Sequence, residues 1–138
     1  MTGRVHRFAL NGLLGWCAEV VFTAIVGFVR GRDRRLTGQT SLWMFPIYGL
    51  IRPLYEPLHD ALRERLPAAG RGLTYGLGFL AVEYVSGRVL RAVEGVAPWD
   101  YSHAPHHLLG LIRLDYLPIW ADAGLALERL HDRLTRRA

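Results

Sequence analysis

TSLWMFPIYGLIRPLYEPLHD, residues 40–60, is the stretch whose conformation decides the fold. It is mostly apolar and aromatic, yet it contains Pro46, Pro53 and Pro57, one arginine (Arg52) and one glutamate (Glu56). At a helical period, Ser41, Tyr48, Arg52, Tyr55, Glu56 and His59 fall near one face. Each proline removes a backbone donor and crowds the preceding turn, so a water-soluble helix does not hold three of them in so aromatic a segment. A membrane helix tolerates them where neighbouring groups satisfy the freed backbone. The stretch is therefore expected to be a broken transmembrane helix with a polar stripe turned toward protein.

Three further apolar blocks flank it, at residues 8–29, 72–93 and 108–130. A hydrocarbon core of about 30 Å needs about 20 helical residues, and each block supplies them. The expected fold is all-α: one membrane domain over residues 1–138, built as a four-helix transmembrane bundle and placed in the cell membrane as a multi-pass protein. Gly12, Gly15, Glu19, Thr23 and Gly27 make a small-and-polar face on the first block. Gly72, Gly76, Phe79, Leu80, Glu83 and Gly87 make another on the third. Small residues at this spacing let helix backbones approach closely in lipid.

All 17 basic residues are arginine, and the formal net charge is +5. They sit at the ends of the apolar blocks rather than on one amphipathic face. That pattern fits flanks meeting anionic lipid and does not fit a nucleic-acid partner. Nine arginines fall on the side of the termini and six on the other, so cytoplasmic termini are expected, against which the first loop sets four arginines of its own. Cys17 is the only cysteine, so no disulfide and no thiolate metal cluster forms within one chain. No cleavage pattern of a signal peptide follows the first block. The sequence has no phosphate loop, dinucleotide fingerprint or zincin motif, and no cofactor is expected.

The second and fourth blocks share a string. Leu42-Trp43-Met44-Phe45-Pro46-Ile47-Tyr48-Gly49 aligns with Leu114-Asp115-Tyr116-Leu117-Pro118-Ile119-Trp120-Ala121, and Gly38 then meets Gly110. Glu19-Val20-Val21 pairs more loosely with Glu83-Tyr84-Val85. The glutamate-to-proline spacing is 27 positions in the first half and 35 in the second, a difference close to the length of the PWDYSHAP segment. Two parallel two-helix repeats are expected, with proline-broken second and fourth helices and an axis along the membrane normal.

Ionisable groups inside spans cost about 2.5–3.5 kcal/mol each at a helix centre, so they usually face a protein interior and carry function. Glu19, Arg52, Glu83, Arg113 and Asp115 form the expected intramembrane polar site, with Glu19 and Glu83 as repeat mates that share a proton or hold a cation. Ser41, Trp43, Pro46, Tyr48, Tyr116, Pro118 and Trp120 support it, and Trp99, Asp100, Tyr101 and Ser102 cap it from a loop. The carbonyls one turn before Pro46 and Pro118 are expected to be free to line the site. Glu56 and Asp122, near span ends, are expected at the solvated interface. Arg113 and Asp115, two apart, cannot share a face of a straight helix. His103, His106 and His107 with Asp100 make a poor tetrahedral set, and no metal is expected. Ser41, Ser86 and Ser102 lie in no nucleophile elbow, so no catalytic residue is assigned.

Several of these residues together resemble the transmembrane protein 229 family, whose bacterial relatives carry the label "putative ABC-transporter type IV". The resemblance rests on Cys17 through Ala24, on Thr40-Ser41-Leu42-Trp43 leading to Pro46-Ile47-Tyr48-Gly49, and on Glu83 followed by Gly87. Pro98-Trp99-Asp100-Tyr101-Ser102 and Gly110-Leu111-Ile112 running to Tyr116, Pro118 and Trp120 complete it. Asp115 departs from it, standing where the family pattern has glutamate. The resemblance implies a small multi-pass membrane protein. Three functions fit the residues: a transporter, permease or channel-like protein; a non-transporting assembly subunit or lipid-interacting scaffold; and an intramembrane lipid-modifying enzyme using a carboxylate with Tyr48 or His59. Membrane lipids, a second copy of the chain or a partner membrane subunit are the expected partners.

Overall fold

An apolar run without internal proline satisfies its backbone most simply as one helix, and Thr2–Val29 forms a 28-residue helix, α1. The computed structural model describes residues 2–31 and 33–135, with the backbone alone for Thr2, Arg4, Arg52, Leu134 and Thr135. Leu13, Leu14, Val21, Ile25 and Phe28 stand exposed along α1. Among the described residues, Val5–Val29 is the one segment long and apolar enough to cross a membrane. The other expected spans carry more charge or are divided. Glu83, Arg88 and Arg91 lie along the third, and Asp122, Glu128 and Arg129 along the fourth. The all-helical class thus stands, and one span stands on length and composition.

Residues 44–62 are helical in three pieces: α2 (Met44–Gly49), a π-helical turn (Ile51–Tyr55) and α3 (Glu56–Leu62). The prolines explain the pieces, but not as expected. Pro46 is the third residue of α2, a first-turn position where a missing N–H forfeits no helical bond. Pro118 is the second residue of α5 (Leu117–Thr135). Both prolines therefore start helices instead of breaking them. The carbonyls one turn earlier are not free either. Leu42 O accepts the Phe45 amide at 3.2 Å, and Leu114 O accepts the Leu117 amide. The irregularity falls at Pro53, which has no N–H to give to Gly49 and lies inside the π turn. Arg52 belongs to that turn, and its side chain lies outside the described residues.

The third block extends into α4 (Ala68–Glu94). Its buried residues are Arg71, Gly72, Tyr75, Gly76, Leu80, Glu83, Gly87 and Leu90, steps of one, three and four that make one stripe. The helix stops at Gly95, whose φ of +77° is the left-handed cap that glycine adopts without cost.

The fourth block is not helical from residue 108. His107–Leu108 (β1) and Ile112–Arg113 (β2) pair antiparallel, with His107 opposite Arg113 and Leu108 opposite Ile112. Leu109 and Gly110 both have positive φ, 52° and 70°, and the Leu111 amide donates to Leu108 O at 2.9 Å. That is the backbone a tight hairpin turn of the mirror-image type requires. A Cβ on Gly110 would stand 2.7 Å from Asp100 Oδ1, so the position needs glycine for space as well as for φ. A 3₁₀ turn (Leu114–Tyr116) follows, and α5 begins at Leu117.

The chain divides into two compact units, residues 1–56 and 57–138. In the first, α1 packs on α2 through missing side chains. A Cβ on Gly12 would stand 2.7 Å from Phe45 O, one on Gly15 would overlap Tyr48, and one on Gly49 would lie 2.5 Å from the Phe8 ring. In the second, α4 packs on α5 in the same manner. A Cβ on Gly76 would lie 2.9 Å from Leu117 Cδ1, and one on Gly124 would overlap Tyr75. The two inventories correspond. Gly12 against Phe45 becomes Gly76 against Leu117, and Gly15 against Tyr48 becomes Phe79 against Trp120, with ring centroids 5.4 Å apart. The first helix of each pair is shifted by 64 positions and the second by 72.

Candidate functional site

Each glutamate of the expected polar site is held within its own unit. In residues 1–56, Glu19 is half-buried on α1 and its Oε2 accepts the Thr40 hydroxyl at 2.9 Å, with Tyr48 also bonded to it. Trp16 Nε1 donates to Ser41 O at 3.0 Å and pins the chain just before α2. Thr40, Ser41 and Tyr48 thus gather beside Glu19, while Trp43 is exposed. The same unit pairs Arg7 with Glu56 at 3.6 Å. Glu56 is buried, not solvated as expected, because α3 begins at it and Arg7 of α1 reaches it. Asp122 is exposed as expected.

In residues 57–138, Glu83 is 9% exposed, and its Oε1 accepts the Tyr101 hydroxyl at 2.9 Å. Tyr101 stands edge-on to Tyr116 with centroids 6.0 Å apart, and the Arg113 guanidinium lies 4.2 Å above the Tyr116 ring. Arg113 also forks onto Asp115 through Nε and Nη2 and donates to the Tyr116 hydroxyl at 3.2 Å. The pairing of Arg113 with Asp115, excluded on a straight helix, forms because residues 112–116 are strand and 3₁₀ turn. Glu83 with Tyr101, and Tyr116 with Arg113 and Asp115, therefore form two polar groups joined by the contact of the two tyrosine rings. Trp120 lies against Phe79, and its buried Nε1 has no hydrogen-bond partner among the described residues.

The Pro98–Ser102 loop is built to present Tyr101. Trp99 Nε1 donates to Leu111 O at 2.8 Å, and the Tyr101 amide donates to Gly110 O at 2.8 Å, so the loop is sewn to the hairpin. Asp100 accepts the Ser102 amide and hydroxyl, each at 2.9 Å. These bonds, the amide first, hold the Asp100 carboxyl below the usual carboxylate range. A depressed folded value means that the loop's stabilisation is complete above the ordinary value and is lost as pH falls through the lower one. The Ser102 amide proton shift should therefore titrate with a midpoint below that of a free aspartate. Asp100→Asn should remove this titration, and a midpoint at the ordinary value would contradict it.

A second polar cluster was not visible among the single charges of the sequence. Arg71 forks onto Glu128, with Nε to Oε2 at 2.8 Å and Nη2 to Oε1 at 2.7 Å. Tyr75 donates to Glu128 Oε2 at 2.9 Å, and Arg71 Nη1 also reaches Leu66 O at 2.6 Å. Next to it, Arg63 donates from Nε and Nη2 to Asp132 Oδ2 at 3.2 and 2.9 Å. His59 and His131 meet edge to face at 4.7 Å, and each faces the other's aspartate: His59 Nε2 to Asp132 Oδ1 at 3.4 Å, His131 Nε2 to Asp60 Oδ1 at 3.7 Å. A signal for these groups exists in the sequence. The 72-position shift that carries Leu42–Gly49 onto Leu114–Ala121 also carries Glu56 onto Glu128 and Leu58-His59-Asp60 onto Leu130-His131-Asp132. The 64-position shift carries Arg7 onto Arg71. The ion pair Arg7–Glu56 of one unit is thus the counterpart of Arg71–Glu128 in the other.

The family model described as "Putative ABC-transporter type IV" matches residues 6–138. No solved structure matches the chain.

Proposed function

The chain belongs to the "Putative ABC-transporter type IV" family, and from that premise we propose that it is a small multi-pass membrane protein made of a duplicated helical hairpin that passes a small charged solute. The single observation that carries this reading is Glu83, buried on α4 and tied through Tyr101 and Tyr116 to Arg113 and Asp115. A carboxylate so placed in a membrane helix exchanges a proton or holds a cation, and the arginine beyond the two tyrosines sets the sign of what is admitted. The duplication is supported by the corresponding contacts at shifts of 64 and 72. It makes Glu19, with Thr40 and Tyr48, the counterpart of Glu83. The exposed apolar residues of α4, Leu73, Leu77, Val85, Val89 and Val93, support a lipid-facing side. The likeness to the transmembrane protein 229 family points the same way. The chain has no nucleotide-binding fingerprint, so nucleotide-driven transport would require a partner subunit.

The test is flux through the purified full-length protein in liposomes, followed with an internal pH indicator and with radioactive sodium and chloride. One of these fluxes should exceed that of empty liposomes at least tenfold, and Glu83→Gln should remove most of it while leaving the helical content unchanged. Flux equal to that of empty liposomes, or untouched by Glu83→Gln and Glu19→Gln, would overturn transport. The second reading, a non-transporting assembly subunit or scaffold, is favoured by the glycine-to-aromatic packing of both units. Under it, the same variants change stability and association but no flux.

A further inference from the structure

We propose that His59, Asp60 and His131 form a binding site for a divalent first-row transition metal, zinc being the best match, with Asp132 and Arg63 orienting the ligands. The site goes beyond the transport reading and does not depend on it. All five residues lie in the unit formed by residues 57–138.

One donor atom from each of His59, Asp60 and His131 lies within 4.8 Å of the other two. Asp60 Oδ1 is 3.0 Å from His59 Nδ1 and 3.7 Å from His131 Nε2. A tetrahedral centre with bonds of about 2.0–2.1 Å sets its donors about 3.3 Å apart, so the three need only a modest contraction. Neighbouring residues on a helix usually diverge, but the 3.0 Å separation shows that His59 and Asp60 converge. The side chain of Asp60 is 70% exposed, so it can make that adjustment and admit an ion from solvent.

The surroundings supply what a ligating imidazole needs. With Nδ1 on the metal side, His59 turns Nε2 toward Asp132 Oδ1 at 3.4 Å. Asp132 is in turn fixed through its other oxygen by the Arg63 fork. A carboxylate facing the ring nitrogen away from the metal is the partner that sets tautomer and orientation in such sites, and Asp132 stands at ion-pair distance for that role. His59 itself is 3% exposed, so its ring is locked by packing. Two imidazoles and one carboxylate suit zinc and its first-row neighbours better than calcium or magnesium, and three protein donors leave one position for water or a substrate. Arg63 also lies 3.7 Å from Glu128 Oε1, so its positive charge is shared between two carboxylates.

Tag-free full-length protein in detergent, stripped with a chelator, would be titrated with Co²⁺ and then competed with Zn²⁺. The expected result is one equivalent of cobalt per chain with a visible ligand-field band, displaced by zinc. His131→Asn and Asp60→Asn should each weaken binding at least tenfold, and Asp132→Asn should weaken it by roughly 10–100-fold at unchanged stoichiometry. The triple variant His103→Asn, His106→Asn, His107→Asn should bind as the wild type does. No band at stoichiometric cobalt, or a band unchanged in the double variant His59→Asn, His131→Asn, would overturn the site. Because Asp60 is exposed, Asp60→Asn keeps its fold, and wild-type binding by it would overturn the site as well.

Discussion

Arg71→Ala should cost about 3–5 kcal/mol of stability, whereas Arg7→Ala, the same ion pair in the other unit, should cost less than about 1 kcal/mol. The difference lies in burial. Arg71 and Glu128 have side-chain exposures of 9% and 7%, whereas Arg7 has 43%. Removing Arg71 leaves the buried Glu128 with only the Tyr75 hydroxyl and the longer 3.7 Å approach of Arg63, and it also leaves Leu66 O without the donor that Nη1 gives it at 2.6 Å. Removing Arg7 takes from Glu56 a partner that is itself 43% exposed and already screened by water. Stability here is the free energy of unfolding in detergent micelles, read by circular dichroism against denaturant. Replacing both partners, Arg71→Met with Glu128→Leu, should recover most of the loss, because the pair's attraction mainly offsets the cost of burying it. A loss under about 1 kcal/mol in Arg71→Ala would show that water reaches Glu128.

These residues show what was legible in the sequence. The buried stripe of α4 follows from the spacing of Gly72, Gly76, Leu80, Glu83 and Gly87, because a helix repeats every 3.6 residues and these positions fall on one side. The loop at Trp99, Asp100, Tyr101 and Ser102 stands out in the sequence as a compact polar and aromatic string among apolar blocks. The hairpin at residues 107–113 was not legible, since Leu108-Leu109-Gly110-Leu111-Ile112 has the composition of a helix and only the positive φ at Leu109 and Gly110 separates the two. Pro46 and Pro118 mislead for a related reason. Proline marks a discontinuity, but composition does not tell whether a helix ends or begins there. The Arg71–Glu128 and His59–His131 contacts escape a reading that weighs charged groups one by one, because their evidence is the correspondence between two halves.

Gly124→Ala should destabilise the protein by about 1–3 kcal/mol, against the sign that helix propensity gives. Gly124 lies inside α5, where alanine is worth about 1 kcal/mol over glycine if nothing else changes. Here a Cβ would overlap Tyr75 Cβ and stand 3.0 Å from the ring atoms Cγ and Cδ2. Tyr75 has little freedom to retreat: it is 1% exposed, the overlap is at its root, and its hydroxyl is committed to Glu128 Oε2 at 2.9 Å. Any shift of the ring therefore draws on the same buried cluster that Arg71 completes. Gly78→Ala is the control, because a Cβ there meets nothing within 4 Å. It should stabilise by about 0.5–1 kcal/mol, so the two alanine substitutions should move the unfolding midpoint in opposite directions. Combining Gly124→Ala with Tyr75→Ala should cost less than the sum of the single changes by about 1 kcal/mol or more, since the overlap is then gone. The sequence difference between the halves fits this account. Where the second has Tyr75 and Gly124, the shifts of 64 and 72 lead to Asn11 and Arg52 in the first, so the tyrosine–glycine pair belongs to the second unit alone. Additive costs in the double variant would mean that α4 and α5 do not approach through Gly124.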